Sequence, residues 1–228
     1  MPNALIVGAS RGIGLGLVDE FAKRGWAVVG TVRSDASASD LKMIARDSGG
    51  KVTVEHVDTT DAASGAALRD RLGDTLFDLI LVNAGIGGPQ SNPRTVTDEA
   101  FTKLFITNAL GPVRLAEILA KSVMPQTGVV GLVTSQLGSI AGNTGGTELY
   151  RASKAALNSF TRSFAARHKD KGLTVLSLHP GWVRTDMGGP GAAIDVATSA
   201  KGLADVVERA QKDRRDGFFD YSGKELPW

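Results

Sequence analysis

Hydrophobic positions along this chain fall into short, continuous, β-branched runs, separated by stretches with the spacing of amphipathic helices. The runs cover residues 4–7, 27–32, 52–57, 79–82, 129–134, 174–178 and 218–221. Several, such as Leu79-Ile80-Leu81-Val82, lack the polar alternate positions of a half-exposed strand. That is the pattern of strands covered on both faces of a parallel sheet. Between the runs, the spacing predicts helices over 13–24, 40–47, 62–72, 98–124, 148–168 and 196–212. Gly111-Pro112 falls inside the fourth helix and should bend or break it, because proline brings no N–H to the helical ladder. Alternating β and α segments predict an α/β chain: a doubly wound, parallel, seven-stranded sheet with helices on both faces.

Composition narrows the picture. The chain has 228 residues, 42% of them hydrophobic, with no compositional break, repeat or linker, so residues 1–228 are read as one domain with its own core. The net charge of +2 is too small to point to a nucleic-acid or membrane partner. There is no cysteine, which excludes disulfides, thiolate metal sites and cysteine nucleophiles. His56, His168 and His179 lack the spacing of metal ligands, and no metal is expected. The first residues read as a strand rather than a leader, and no apolar run is long enough to span a membrane. A cytoplasmic address is expected.

Candidate chemistry begins with Gly8-Ala9-Ser10-Arg11-Gly12-Ile13-Gly14, which follows the first run and opens the first helix. Glycines let the backbone turn tightly and approach a pyrophosphate, whose charge a helix N-terminus favours. The spacing is Gly-x-x-x-Gly-x-Gly, and its place between strand and helix favours nucleotide binding over a plain tight turn. NAD-binding folds place an acid at the end of the second strand, to meet the ribose 2′-hydroxyl. Here the sequence is Gly30-Thr31-Val32-Arg33, and the Arg33 guanidinium would fork around a 2′-phosphate, with Arg11 as a second cation. Asp35 lies too far into the loop to oppose this. NADP(H) is favoured over NAD(H), the alternative for Arg33 being a solvated loop charge. Asp58, at the end of the third run, is placed to accept from adenine N6 or, equally, to cap the helix after Asp61. Asn83-Ala84-Gly85 ends the fourth run, where small residues allow backbone contact with the adenine ribose.

Tyr150 and Lys154 stand four residues apart, on one face of the helix expected over 148–168. A free phenol, with a pKa near about 10, is a poor acid–base group at neutral pH. An ammonium beside it stabilises the phenolate and is expected to pull that value down. Tyr221, the other tyrosine, has no lysine at helical spacing.

These motifs, with Asn108, Ser135 and Pro180-Gly181, occur in the order found in the classical short-chain dehydrogenase/reductases, which the chain resembles over essentially its whole length. A narrower likeness, to the C-factor/sniffer-like carbonyl reductases, runs through Thr134-Ser135-Gln136-Leu137-Gly138-Ser139-Ile140, Asn143-Thr144-Gly145-Gly146, residues 179–189 and residues 217–223. The resemblance implies a Rossmann-type fold and an NADPH-dependent, reversible reduction of an aldehyde or ketone. It assigns Tyr150 to protonate the carbonyl oxygen, and Lys154 to lower its pKa and bind the nicotinamide ribose. Ser135 would donate to the substrate oxygen, and Asn108 would hold, through its backbone, a water in a proton relay. Val183 and Thr185, after Pro180-Gly181, would fix the carboxamide. Val7 and Val82 stand where the common family version has polar residues. Ser135 lies 15 positions before Tyr150, farther than in most relatives, and an extra turn around 143–146 would absorb this; Ser139 is the reserve candidate. Residues 186–199 occupy the place of the family's substrate loop, and their glycines suggest a mobile lid. A homodimer or homotetramer is implied, formed through the helices containing Asn108 and Tyr150. Leu157, Phe160 and Phe164 would serve pairing or packing on the sheet equally well. The alternatives are a dinucleotide-binding regulatory or signalling protein with little turnover, motivated by the C-factor likeness, and an epimerase or dehydratase. The latter usually carries a larger C-terminal region than remains here.

Overall fold

A computed structural model describes residues 1–89 and 92–228. The strands are β1 (Asn3–Val7), β2 (Ala27–Val32), β3 (Val52–His56), β4 (Leu79–Val82), β5 (Val129–Val133), β6 (Thr174–His179) and β7 (Gly217–Asp220). They form a seven-stranded sheet in the order β3-β2-β1-β4-β5-β6-β7, parallel at every pairing. The helices are α1 (Gly12–Lys23), α2 (Ser39–Asp47), α3 (Ala62–Leu72), α4 (Asp98–Phe105), α5 (Gly111–Leu119), α6 (Glu148–Arg167) and α7 (Val196–Asp213). None of them is long and apolar enough to cross a membrane.

Alternate residues of one strand feed two separate cores. Leu79 and Leu81 pack with Leu17, Phe21, Leu203 and Val207 of α1 and α7, whereas Ile80 and Val82 pack with Leu68, Leu115, Leu157 and Phe164 of α3, α5 and α6. This double coverage is why a central strand such as β4 is apolar at every position. Val7 and Val82, which replace polar family residues, both lie in the second core. Leu157 and Phe164 belong to that core too, so of the apolar stripe on α6 only Phe160 is left exposed.

The fourth expected helix departs most from its sequence pattern. Gly111-Pro112 does not break it; a π turn over Ile106–Leu110 joins α4 to α5, with the Gly111 N–H bonding Ile106 O. Widening the turn accommodates a residue with no N–H. Position 111 must be glycine, because a Cβ there would stand 2.5 Å from Thr59 O. The helix also stops at Leu119 instead of reaching residue 124, because Val123 is drawn into a parallel bridge with Phe77, supported by Phe77 N to Ser122 O and Met124 N to Phe77 O, both 2.8 Å.

Beyond β7 the chain turns on the Asp220 carboxylate, which accepts from the backbone N–H groups of Ser222 and Lys224. It then runs back along the strand: Phe219 bridges Glu225 antiparallel, and Leu226 N bonds Phe218 O at 2.7 Å. The outer edge of β7 is therefore covered by its own chain.

Candidate active site

The glycine loop between β1 and α1 is gripped by both neighbouring strands. Gly8 N donates to Thr31 Oγ1 (3.2 Å) and Ala9 N to Thr31 O (2.8 Å), while Asn83 Nδ2 donates to Gly8 O (3.2 Å). Gly8 has φ +81°, and a Cβ at Gly14 would lie 2.1 Å from Gly8 O. Arg11 is the N-cap of α1 but offers it no side-chain bond, and the first turn has no acid. Outward N–H groups, bare of carboxylate and framed by close-packed glycines, suit a pyrophosphate. Ser10 and Ile13 are half-buried at this turn. Thr31, which positions the loop, carries no sequence signal of that role, unlike Arg33 two residues on.

Arg33 is exposed just past β2, as a 2′-phosphate ligand would need to be. Asp35 starts a short turn and is paired to Lys42 at 2.6 Å, which holds its carboxyl below the usual range. Asp58 does not cap α3; Asp61 does, accepting from Ala63 N at 2.9 Å. The Asp58 carboxylate instead accepts from the Thr60 hydroxyl and N–H, and these bonds, with Arg33 adding a smaller pull, keep it below its ordinary value. Arg11 is engaged from the other side of the crevice, by Asp186 at 2.5 Å, each side chain about three-quarters exposed.

At the carboxyl end of β5, Ser135 turns the chain, its Oγ accepting from Leu137 N (3.1 Å). Tyr150 and Lys154 lie in the first two turns of α6. Lys154 is buried, and its Nζ donates to Val133 O at 3.1 Å and stands 5.9 Å from the centre of the Tyr150 ring. Burial lowers the Lys154 pKa to about 8. The phenol corrects one expectation from sequence. Burial pushes Tyr150 above its ordinary value, the Ser135 hydroxyl opposes that shift, and at this distance the ammonium does not reverse it. Ser139 points elsewhere: its Oγ accepts from Gly142 N (2.9 Å) and lies 3.5 Å from Trp228 O. The segment over 143–147 turns, with Gly145 N bonding Asn143 Oδ1 and positive φ at Gly145, Gly146 and Thr147.

Asn108, in the π turn, is fully buried, and its side chain is fully bonded, to the Ile86 backbone and the Ser153 hydroxyl. Oδ1 accepts from Ile86 N (2.8 Å), and Nδ2 donates to Ile86 O (2.9 Å) and Ser153 Oγ (3.2 Å). This clamps the segment that continues from Asn83-Ala84-Gly85. That segment crosses the site closely: a Cβ at Gly85 would be 3.4 Å from Lys154 Nζ, and one at Gly88 would be 3.0 Å from Tyr150 Cβ. Pro112 meanwhile deprives the Asn108 carbonyl of the donor an α-helix would supply four residues on.

Past β6, the Pro180 carbonyl accepts from Ser199 Oγ (2.6 Å), and Gly181 (φ +87°) fits where a Cβ would stand 2.7 Å from Ile194 and 3.0 Å from the Tyr221 ring. Val183 is buried and bridges Ile194; a Cβ at Gly12 would lie 3.3 Å from the Thr185 methyl, which brings this segment to the glycine loop. The loop expected over 186–199 ends at Asp195, the N-cap of α7, so its last residues are helical. It is also tied across itself, by Arg184 N to Ile194 O (2.8 Å), Trp182 Nε1 to Gly188 O (2.9 Å) and an Arg184 guanidinium bond to Ala192 O (3.1 Å). Its glycines serve tight turns within those ties. Among the described residues, no group of three or more acids and histidines is placed to hold a metal.

Residues 2–193 match the short chain dehydrogenase family. The chain belongs to that family. C-signal of Myxococcus xanthus is 39% identical over 155 residues, covering 66% of this chain and 92% of C-signal. A carbonyl reductase from Pseudomonas aeruginosa PAO1 in complex with NADP is 41% identical, with a TM-score of 0.92 and full coverage of both chains. The carbonyl reductase Sniffer of D. melanogaster is 29% identical, with a TM-score of 0.90 and again full coverage of both. The chain is thus a short-chain dehydrogenase/reductase with the Rossmann-type fold, similar to the carbonyl-reductase subgroup, and an NAD(P)-dependent oxidoreductase.

Proposed function

We propose that this protein is an NADPH-dependent reductase of aldehydes or ketones, able to run in reverse as an NADP-dependent alcohol dehydrogenase. The observation that carries the reading is the convergence of Ser135, Tyr150 and Lys154 at the carboxyl end of β5, alongside a glycine loop flanked by cations and free of acids. NADPH, when bound, supplies the hydride. Gly8, Ser10, Gly12, Ile13 and Gly14 hold its pyrophosphate, while Arg33 and Arg11 meet the 2′-phosphate. Asp58 accepts from the adenine, Asn83, Ala84 and Gly85 line its ribose, and Pro180, Gly181, Val183 and Thr185 seat the carboxamide. NADP stands in the related Pseudomonas aeruginosa reductase, which supports the choice over NAD.

Tyr150 passes its proton to the carbonyl oxygen, and burial favours the protonated phenol that this donor role needs. Ser135 donates to the same oxygen as negative charge develops on it. Lys154, still cationic at neutral pH with a pKa of about 8, stabilises the phenolate left behind and binds the nicotinamide ribose. Asn108, its side chain fixed on Ile86, offers its carbonyl to a water that refills Lys154. We place the enzyme in the cytoplasm as a homodimer or homotetramer, with exposed Phe101, Leu110 and Phe160 of α4, the π turn and α6 in the contact; light scattering showing a monomer would remove that part.

The test is NADPH consumption over a panel of aldehydes, ketones and diketones, comparing wild type with Tyr150→Phe. Loss of the hydroxyl should reduce turnover by about 10²-fold or more; full retention would sink the assignment. The likeness to C-signal keeps a second reading in play, a nucleotide-binding signalling protein. Tight NADPH binding with no turnover on any carbonyl would favour it.

A further inference from the structure

The segment joining Ser135 to Tyr150 is weakly anchored for something that sits between two reacting side chains. Residues 140–148 are exposed without interruption, and Ile140 is 75% exposed. Bonds inside the segment, Asn143 N to Ile140 O (3.2 Å) and Gly145 N to Asn143 Oδ1 (2.9 Å), shape its turns but do not place it on the protein. Placement comes from outside. At the far end, the Nε of buried Arg151 donates to Gly146 O at 2.9 Å. At the near end Asn158 Nδ2 of α6 donates to Gly138 O at 3.3 Å, and the next residues are held by Trp228, whose main-chain oxygen accepts from Ala141 N at 3.1 Å and lies 3.5 Å from Ser139 Oγ.

Trp228 is itself well held. Its ring is 5.5 Å from that of Phe218, a fully buried residue of β7, and the Arg162 guanidinium of α6 lies 5.3 Å from its centre. The chain brings it there by folding back along β7 through the Glu225 bridge and the Leu226 bond. One residue, 89 positions beyond Ser139 in sequence, thus fastens β7, α6 and the Ser135–Tyr150 segment together.

We propose that Trp228 is a positioning residue for the substrate side of the active site. Its ring, docked between Phe218 and Arg162, sets its main-chain oxygen where Ala141 and Ser139 reach it, and so holds residues 139–141 of the stretch that links Ser135 to Tyr150. The cofactor side does not depend on it, because the glycine loop is held by Thr31 and Asn83. The kinetic part of the inference rests on the carbonyl-reductase reading; the structural part does not.

The test compares wild type, Trp228→Ala and Trp228→Phe in the full chain. Three quantities are measured: hydrogen–deuterium exchange, NADPH affinity by fluorescence titration, and KM and kcat for the best carbonyl on the panel. In Trp228→Ala, exchange at the amides of 138–143 should quicken by about tenfold with no change in the glycine loop. NADPH affinity should stay within about twofold, while the carbonyl KM rises by about fivefold and kcat changes little. Trp228→Phe, which keeps a ring over Phe218, should recover most of both effects. Unchanged exchange over 138–143, or exchange that quickens equally in the glycine loop, would overturn the proposal, as would Trp228→Phe behaving like Trp228→Ala. If wild type turns over no carbonyl, the reductase reading fails while the exchange comparison still decides the role of Trp228.

Discussion

Replacing Lys154 with methionine should stabilise the fold while removing its chemistry. Lys154 is buried, and burial lowers its pKa from 10.5 to about 8. At roughly 1.4 kcal/mol per pH unit, keeping that ammonium in the folded chain at neutral pH costs about 3 kcal/mol. Methionine matches the stem in length and carries no charge, but it leaves Val133 O without the bond it receives at 3.1 Å, a loss of about 1 kcal/mol. The net expectation for Lys154→Met is a gain of about 2 kcal/mol, with carbonyl turnover abolished. The sign of the pH dependence follows from the same shift. The folded value lies below the unfolded one, so between about 8 and 10.5 the unfolded chain binds more protons and wild-type stability rises with pH. Lys154→Met lacks this contribution, so its advantage should be full at neutral pH and shrink across that window. Urea unfolding of both proteins without added nucleotide, at several pH values from about 7 to about 10, measures the difference directly, because other titrating groups cancel. A stability difference that does not change with pH, or a variant less stable than wild type at neutral pH, would refute the reasoning.

Two further outcomes can be stated briefly. His179 is buried at the end of β6, its Nδ1 has no hydrogen-bond partner among the described residues, and burial, opposed by Asp220, lowers its pKa from 6.5 to about 4. The unfolded chain therefore takes up the proton first, and stability should fall as pH drops from 6.5 to about 4, by up to about 3 kcal/mol, a loss that urea titration of His179→Gln should not show. Arg33→Ala should weaken NADPH by about tenfold or more and leave NADH unchanged, whereas Asp186→Asn, by freeing Arg11, should tighten NADPH about twofold; fluorescence titration with both nucleotides checks the pair, and equal losses for NADPH and NADH in Arg33→Ala would remove Arg33 from the 2′-phosphate site.

The sheet could be read from sequence because burial on both faces leaves a signal at every position: Leu79, Ile80, Leu81 and Val82 have no solvent side on which to place a polar residue. The glycine loop was equally visible, since the closest approaches at Gly8 and Gly14 admit no side chain. Over 98–124 the sequence shows less, because Gly111-Pro112 reports only a missing N–H and a missing Cβ. It does not report that a π turn upstream can satisfy the first or that Thr59 O requires the second. The Tyr150 pKa was misjudged for a related reason. Helical spacing places phenol and lysine on one face, but whether charge or burial prevails depends on a distance and a solvent exposure that spacing does not contain.

The residues that escaped sequence reasoning share a property. Thr31, Asp186 and Trp228 act through contacts with segments they do not adjoin, and none carries a local pattern that announces this. They also divide by side. Thr31 and Asn83 fix the glycine loop from β2 and β4, while Trp228 and Arg151 fix the Ser135–Tyr150 segment from β7 and α6. The two supports meet through the sheet, the Asn108 clamp on Ile86 and the close passage of Gly85 by Lys154 and of Gly88 by Tyr150. Separate supports let one side loosen without the other, so substitutions around the Trp228 anchor can change which carbonyl fits while the nucleotide side keeps its geometry. A chain built this way can vary its substrate without rebuilding its cofactor site, and the KM-against-kcat separation in Trp228→Ala is where that independence becomes measurable.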